Sequence, residues 1–254
     1  MRKLMLAAAV ALWTAGSALP ATAAGDAPAA PAQPWSFNGI FGTFDRAAVQ
    51  RGFQVYKEVC ASCHAMHLLS YRHLQGAGFS EDDVKAIAAS VEVTDGPNDA
   101  GEMFQRPGRP SDRFVRPFPN DQAARAAMNG ALPPDLSVMV KARAQGADYV
   151  FGLLTGYAEP PAGVTMGEGM NYNKYFPGHQ IAMAPPLNEG AVTYTDGTTA
   201  TVAQMARDVT YFMAWAAEPE LEQRKRIGLA VLIFLIVFTG LAYASKRKVW
   251  ADVH

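Results

Sequence analysis

Cys60, Cys63 and His64, in the run Cys60-Ala61-Ser62-Cys63-His64, are the residues whose types and spacing most constrain the chemistry of this 254-residue chain. Two thiols separated by two residues and followed directly by an imidazole form the attachment pattern for a c-type haem. Each thiol can add across one vinyl group, and one helical turn between the cysteines matches the separation of the two vinyls. The imidazole then lies under the iron and supplies a neutral nitrogen. The same spacing also marks dithiol redox motifs and zinc sites. A structural zinc needs four ligands, usually in two separated pairs, and Cys60 and Cys63 are the only cysteines here. A dithiol oxidoreductase would seat the pair between a strand and a helix of a βαβ unit, and the flanking pattern shows no such unit. The spacing therefore predicts one covalently attached haem c, with His64 as an axial ligand, and a protein that handles electrons.

Whatever occupies the opposite side of the iron separates a carrier from a haem enzyme. An exchangeable position permits ligand binding and catalysis; a closed one leaves electron transfer alone. A methionine thioether, a soft donor, favours the ferrous state and raises the potential. The chain has eleven methionines. Met205 and Met213 fall on the apolar face of a late helix, and Met66 is too near the attachment turn to reach the far side. Met183 stands in Ile181-Ala182-Met183-Ala184-Pro185-Pro186, where two prolines limit the entropy lost in holding the loop. On the residues alone Met166 and Met170 remain rivals, and His179 would give a bis-imidazole site. His67 and His73 read as hydrogen-bonded structural histidines.

These residues must be carried by the rest of the chain. Arg2 and Lys3, an apolar stretch from Leu4 to Leu19, and Ala21-Thr22-Ala23 predict a signal peptide over 1–24. A Pro/Ala-rich leader follows over 25–34, then a single haem domain over 35–219. Residues 220–248 read as a membrane-anchor helix whose apolar core, 227–244, contains no charged residue. At about 1.5 Å per residue that core reaches roughly 27 Å, enough for the hydrocarbon layer. Arg224-Lys225-Arg226 and Lys246-Arg247-Lys248 bracket it, with Trp250 beyond as an interface residue. Balanced basic flanks leave orientation undecided. The signal peptide predicts that everything before residue 227 crosses, leaving residues 249–254 in the cytoplasm. The expected location is a bacterial cytoplasmic membrane, single-pass, with the haem domain in the periplasm. A net charge of −1 implies no nucleic-acid partner.

The fold class expected is mainly α, a haem domain with long ordered loops. Val49, Phe53, Tyr56 and Cys60 follow Asp45 at helical spacing and lead into the cysteine pair. Ser80 with Asp83 opens a second helix bearing Val84, Ile87 and Val91. Asn120 to Asn129 reads as a short helix closed by Gly130. Asp135 to Ala144 and Asp148 to Thr155 read as two more, the latter ended by Gly156. Thr201 with Gln204 makes a capping box for a helix that buries Val202, Met205, Val209, Phe212, Met213 and Ala216. Pro219 sits where the anchor helix can begin. Val192 to Thr195, before Asp196-Gly197, reads as half of a small hairpin. Gly96 to Pro119 and Glu159 to Gly190 read as irregular functional loops.

Several longer motifs resemble the cytochrome c1 family, haem subunits of the cytochrome bc1 complex, in its bacterial form. They are Arg51-Gly52-Phe53-Gln54-Val55-Tyr56, Tyr71-Arg72-His73-Leu74, Asp95-Gly96-Pro97-Asn98 and Gly130-Ala131-Leu132-Pro133-Pro134-Asp135-Leu136-Ser137, followed by Asp148-Tyr149-Val150-Phe151, Leu154-Thr155-Gly156-Tyr157, Phe176-Pro177-Gly178, Met183-Ala184-Pro185-Pro186 and Trp215-Ala216-Ala217-Glu218-Pro219-Glu220. The resemblance covers nearly the whole mature chain. It implies that Met183 is the sixth ligand and that Arg143 meets the haem propionates, for which a guanidinium is well suited. It implies haem-pocket packing by Pro133, Pro134, Tyr149, Leu153 and Phe176.

The resemblance further implies a carrier, not an enzyme by itself. Such a subunit takes an electron from a Rieske iron–sulfur protein and passes it to a soluble or membrane-bound cytochrome c. It does so beside cytochrome b in a dimeric ubiquinol–cytochrome c reductase. Glu81-Asp82-Asp83, Glu92, Asp95, Asp99 and Glu102 make an acidic stretch, either a solvated face or, as the family implies, a surface that steers cytochrome c. Some bacterial relatives brace the methionine loop with a disulfide; this chain has no cysteines for one. The alternative from another class is a membrane-anchored c-haem enzyme, such as a peroxidase, whose open sixth position would bind carbon monoxide.

Overall fold

A computed structural model describes residues 27–252; the signal peptide expected over 1–24 lies outside them. The elements run α1 (Arg46–Glu58), a 3₁₀ turn (Cys60–Ser62), a 3₁₀ helix (Tyr71–Ala77), α2 (Glu81–Ala89), β1 (Glu92–Asp95), β2 (Phe104–Pro107), α3 (Asp121–Ala127), α4 (Gly146–Thr155), β3 (Asn171–Tyr172), β4 (Gln180–Ile181), α5 (Val202–Ala217) and α6 (Leu221–Val249). The chain is mainly helical, with two small two-stranded antiparallel ladders, β1–β2 and β3–β4.

The helices start where side-chain caps relieve unpaired N–H groups. Asp45 accepts from Ala48 N at 3.1 Å. Ser80 and Asp83 cap each other reciprocally at the start of α2, and Asn120 accepts from Ala123 N at 2.8 Å. Thr201 accepts from Gln204 N at 3.1 Å, but the expected reciprocal bond is absent. The Gln204 amide instead donates to Asp208 at 3.0 Å. After α3 the chain turns through Asn129 and Gly130, both at positive φ.

The core forms where α1 lies across α5. A Cβ on Gly52 would stand 1.9 Å from the Asp208 carbonyl oxygen and 2.8 Å from Phe212 Cβ. Only glycine lets the two backbones approach this closely. Phe53 meets Phe79, Phe114 and Phe212 edge-on, with ring centroids 5.4 to 6.1 Å apart, a favoured aromatic geometry. Met205, Phe212 and Trp215 are fully enclosed. Through this core runs one ion pair. Arg51 on α1 grips the fully buried Asp208 on α5 with two bonds of 3.0 and 3.1 Å and reaches Asp196 at 2.9 Å.

Three expectations fail, each through a contact made from outside the segment. Asp135 to Ala144 is a series of turns, not a helix. The Asp135 carboxylate accepts from Ser137 N (2.9 Å) and His67 N (2.9 Å), which offers the backbone an alternative to helical bonding. Val192 to Thr195 is not a strand. A turn closes on each side (Ala191 N to Asn188 O, Gly197 N to Tyr194 O), and the Thr193 carbonyl is taken by the Gln54 amide at 2.9 Å. β2, β3 and β4 lie instead inside the two stretches read as irregular, and β1 just before the first of them. The polar Glu92–Asp95 pairs with Phe104–Pro107, a segment whose mostly exposed residues carry no strand-like alternation.

Arg106 ties that hairpin down by pairing with both Asp95 and Asp112. Its hydrogen bond to Asp112, more than any other influence, lowers the Asp112 carboxyl from 3.8 to about 2. A carboxyl held down in the folded state contributes stability above its unfolded value and loses it as pH falls through the folded one. Arg106→Ala should therefore be less stable than the wild type at pH 6, with the gap closing as pH drops from 4 toward 2. Urea titrations across that range would check this; a gap independent of pH would refute it.

After Pro219 the chain enters α6, whose mean hydropathy reaches 2.5 and whose side chains from Ile227 onward are exposed, while Leu221 at its start packs against the core. It is the one helix among the described residues long and apolar enough to cross a membrane. Its first turns are bonded to the domain that precedes it. Glu222 accepts from Phe44 N (2.8 Å) and pairs with Arg46 (2.9 Å). Lys225 donates to the carbonyls of Phe37 (2.7 Å) and Gly42 (3.0 Å).

Candidate haem-attachment site

Where α1 ends, Val59 N still bonds to Val55 O at 2.9 Å, and the chain tightens into the 3₁₀ turn Cys60–Ser62. Cys63 N and His64 N both donate to Cys60 O, at 3.1 and 2.8 Å. The two half-buried, unpaired thiols therefore lie at opposite ends of a single turn. Burial, with Cys63 alongside, pushes the Cys60 thiol up to about 12. That is the reverse of a dithiol oxidoreductase, whose attacking thiol is held low. Among the described residues no group of three or more His, Cys, Asp or Glu gathers as a metal site, so the pair has no companions for a structural zinc.

His64 has its tautomer set from elsewhere in the chain. Its Nδ1 lies 2.8 Å from the Pro134 carbonyl oxygen. A carbonyl can only accept, so Nδ1 carries the hydrogen and Nε2 keeps its lone pair. Burial, against the opposing pull of that bond, drives the imidazole pKa down and keeps the ring neutral. A neutral imidazole with a free Nε2 and an anchored Nδ1–H is the arrangement a ligating histidine needs. This role for Pro134 was not visible in the sequence, where the residue reads as packing. No local signal could have shown it, because the acceptor is a backbone atom.

The segment after Pro134 is laced to the segment after His64. Leu136 N donates to Ala65 O (2.8 Å), His67 Nδ1 meets Asp135 at 2.6 Å, and Leu68 N donates to Ser137 Oγ (3.1 Å). Burial alone would raise the Asp135 carboxyl, but bonds from Ser137 and His67 hold it below the usual range. His73 accepts from Ser70 N at 3.1 Å and so serves the backbone.

Met183 belongs to a second assembly, built on the end of α4. Tyr157 donates its hydroxyl to the Met183 carbonyl at 3.0 Å. Burial raises the Tyr157 pKa, which keeps that donor protonated. Asn173, fully buried, donates to Leu153 O (2.8 Å) and accepts from Tyr175 N (3.0 Å), while Lys174 N reaches Gly156 O (2.9 Å). The β3–β4 ladder pairs Asn171 with Ile181 and Tyr172 with Gln180, just before Met183. His179 turns the corner at φ 60°, with Nδ1 3.1 Å from Asn173 O and its ring stacked on Tyr172. These bonds brace the loop where a disulfide is lacking. Tyr157→Phe should cost about 1 kcal/mol, the net worth of one hydrogen bond, readable as a lowered urea midpoint with unchanged slope.

Arg143 and Tyr149 are brought together, the guanidinium 5.8 Å from the ring centroid. Arg143 is exposed, bonds only to the Ala142 carbonyl, and pairs with no carboxylate among the described residues. Its charge is thus available to an acidic ligand. Tyr149 and Leu153 are four residues apart on α4 and share a face. Leu153, Pro133 and Phe176 are half-buried, whereas Pro134 is exposed. Two thiols on one turn, a neutral imidazole, an uncommitted guanidinium and partly open apolar side chains are a donor set that fits a flat, anionic haem.

Residues 35–253 match the model of the Cytochrome C1 family. Over 221 residues the chain is 54% identical to the mitochondrial heme protein cytochrome c1-2 of Solanum tuberosum, covering 87% of this chain and 85% of that protein. Over 237 residues it is 49% identical to cytochrome c1 of Rhodospirillum rubrum, covering 87% of each. It is 54% identical over 246 residues to cytochrome b/c1 of Bradyrhizobium diazoefficiens, a longer protein of which it spans 36%. With two thiols on one turn, a tautomer-locked histidine and a family match over residues 35–253, the chain belongs to the cytochrome c1 family.

Proposed function

We propose that the chain is the haem-carrying electron-transfer subunit of a cytochrome bc1 complex, holding one haem c through thioethers from Cys60 and Cys63. His64 Nε2 and the Met183 sulfur would hold the iron. Arg143 neutralises propionates, and Pro133, Pro134, Tyr149, Leu153 and Phe176 pack around the cofactor. When bound, the haem iron supplies a one-electron couple. The observation that carries the reading is the Nδ1 bond from His64 to Pro134, which prepares a ligating nitrogen directly beside two thiols on one turn.

Each residue then has a task in the transfer. His64 stays neutral and fixed in orientation, so a change in iron charge does not require a proton to move at that ring. Tyr157 and the prolines hold the Met183 backbone still, which limits the reorganisation that accompanies each electron. The partly exposed apolar side chains allow a docked partner close approach to the cofactor edge. On this reading the electron arrives from a Rieske iron–sulfur protein and leaves to a soluble or membrane-bound cytochrome c. Cytochrome b is the neighbour in a dimeric assembly, and the chain makes and breaks no substrate bonds itself. Residues 1–24 direct export, 25–34 form a leader, and 35–219 are the periplasmic domain. Residues 220–248 anchor it in the cytoplasmic membrane of a bacterium, with 249–254 on the inner side.

The test is a reduced-minus-oxidised optical spectrum of the membrane-bound protein, with and without carbon monoxide. A sharp c-type band unchanged by carbon monoxide is expected from closed histidine–methionine ligation. A wild-type spectrum that shifts with carbon monoxide would replace the carrier with a haem enzyme bearing an open position.

A further inference from the structure

Among the described residues, the two most exposed large apolar side chains outside α6 are neighbours, Ile40 at 70% and Phe41 at 81%. They crown a short loop that is built to be rigid. Its neck is closed by Thr43 N to Ser36 O (3.0 Å) and by Ser36 Oγ to Thr43 O (2.8 Å). Gly42 N bonds across the tip to Gly39 O at 3.4 Å, and Gly39 takes a positive φ of 74°. A Cβ on Gly42 would overlap the Asn38 carbonyl oxygen at 2.0 Å, so the turn tolerates only glycine there. Below the neck, the Phe37 ring is buried against Trp35, Phe44 and Tyr211. A fold that spends this much structure on holding two apolar side chains in the open is presenting them to something.

The loop is fastened to one residue of α6. Lys225 donates to Phe37 O at 2.7 Å and Gly42 O at 3.0 Å, the two carbonyls that flank the tip. Lys225 lies two residues, about 3 Å of helix rise, before Ile227, where the uncharged apolar run begins. Glu222, one turn earlier, holds Phe44 N and Arg46. The loop is therefore held beside the point at which α6 would leave water. From Ser36 to Phe44 there is no charged residue. Two of its backbone N–H groups are bonded within the segment and a third, Asn38 N, to Trp35 O just before it, which removes part of the penalty for entering an interfacial layer. An aromatic and an aliphatic side chain side by side suit the headgroup–acyl boundary.

We propose that Ile40 and Phe41 insert into the outer leaflet of the lipid bilayer as a second, shallow attachment that fixes the tilt of the haem domain on its anchor. The occupant is lipid, because Lys225, two residues before the apolar run begins at Ile227, holds both carbonyls that flank the tip. The proposal rests on the reading of α6 as a membrane span. With the span alone, α6 and the domain bonded to it could tilt and turn as one body in the bilayer; with a second contact, the direction in which the cofactor edge faces is set.

The full-length, haem-loaded chain, alone in nanodiscs of phosphatidylcholine and phosphatidylglycerol, should be illuminated with a photoactivatable lipid whose diazirine sits near the glycerol end of the acyl chain. Cross-linked peptides are then read by mass spectrometry. Labelling of both the α6 peptide and the peptide containing Ile40-Phe41 is expected, with a several-fold loss at the loop alone in the Ile40→Ser/Phe41→Ser variant. An unchanged optical spectrum in that variant shows that the fold is retained. Labelling of α6 without the loop would overturn the proposal and leave the span standing. Labelling of neither would overturn both. Loop labelling undiminished by the serine substitutions would mean mere nearness to lipid and would also overturn it.

Discussion

Replacing Met183 with leucine is expected to open the sixth position while leaving the fold intact, and it should lower the midpoint potential markedly. Leucine fills nearly the same volume and keeps the backbone that Tyr157 holds through the Met183 carbonyl, so the loop should stay in place. What disappears is the sulfur. Axial-ligand identity spans a range of about 0.8 V in haem proteins, and a thioether sits toward the upper part of it. The midpoint potential should therefore fall by about 0.1 V or more, and the ferrous protein should bind carbon monoxide without denaturant. Potentiometric titration and difference spectra read both. An unchanged potential together with an unchanged spectrum would remove Met183 from the iron and reopen the place of Met166, Met170 and His179. Comparing Met183→Leu with Tyr157→Phe separates ligand from brace, since the second should lower stability without moving the potential by a comparable amount.

Arg51→Met is expected to be the most damaging change to stability that does not touch the cofactor. It strands the Asp208 carboxylate, fully buried on α5, with the Gln204 amide and the neighbouring Tyr194 hydroxyl but no cation beside it. Breaking one half of a buried pair typically costs about 3–5 kcal/mol, a large share of the roughly 5–15 kcal/mol that holds a domain folded. Equilibrium urea unfolding would measure it, and a loss below about 1 kcal/mol would show that the pair is better solvated than its burial indicates. The double variant Arg51→Met/Asp208→Leu should recover much of the loss, because two apolar side chains can replace a buried ion pair at little cost. The Gly52 contact makes the site sensitive. With the backbones of α1 and α5 nearly touching there, the helices cannot part to let water reach the orphaned carboxylate.

Helix starts were legible because each cap acts over three residues. Asp45, Ser80, Asn120 and Thr201 all accept from the N–H group three positions on. The misreadings share the opposite property. Asp135 to Ala144 has helical periodicity, yet His67, far back in the chain, helps to claim its first carboxylate. Val192 to Thr195 alternates as a strand should, yet a side chain from α1 occupies a carbonyl it would pair with. Glu92–Asp95 forms a strand without any apolar alternation, since Arg106 and its two carboxylates supply what hydrophobic patterning does not.

In the site the same division holds. The sequence by itself determined the thiol pair, the imidazole that follows it, and an apolar run long enough for a membrane, because each depends on covalent spacing or on transfer from water of a contiguous segment. Only the tertiary structure decided which His64 nitrogen is free, through a carbonyl 70 residues away. It alone tied the Met183 backbone to a hydroxyl 26 residues earlier and paired Arg51 with a carboxylate 157 residues later. It also fastened an apolar loop to Lys225. Each of these is a choice among many chemically equivalent partners, and hydrogen-bond geometry selects one only after packing of the core has brought distant backbone atoms within about 3 Å.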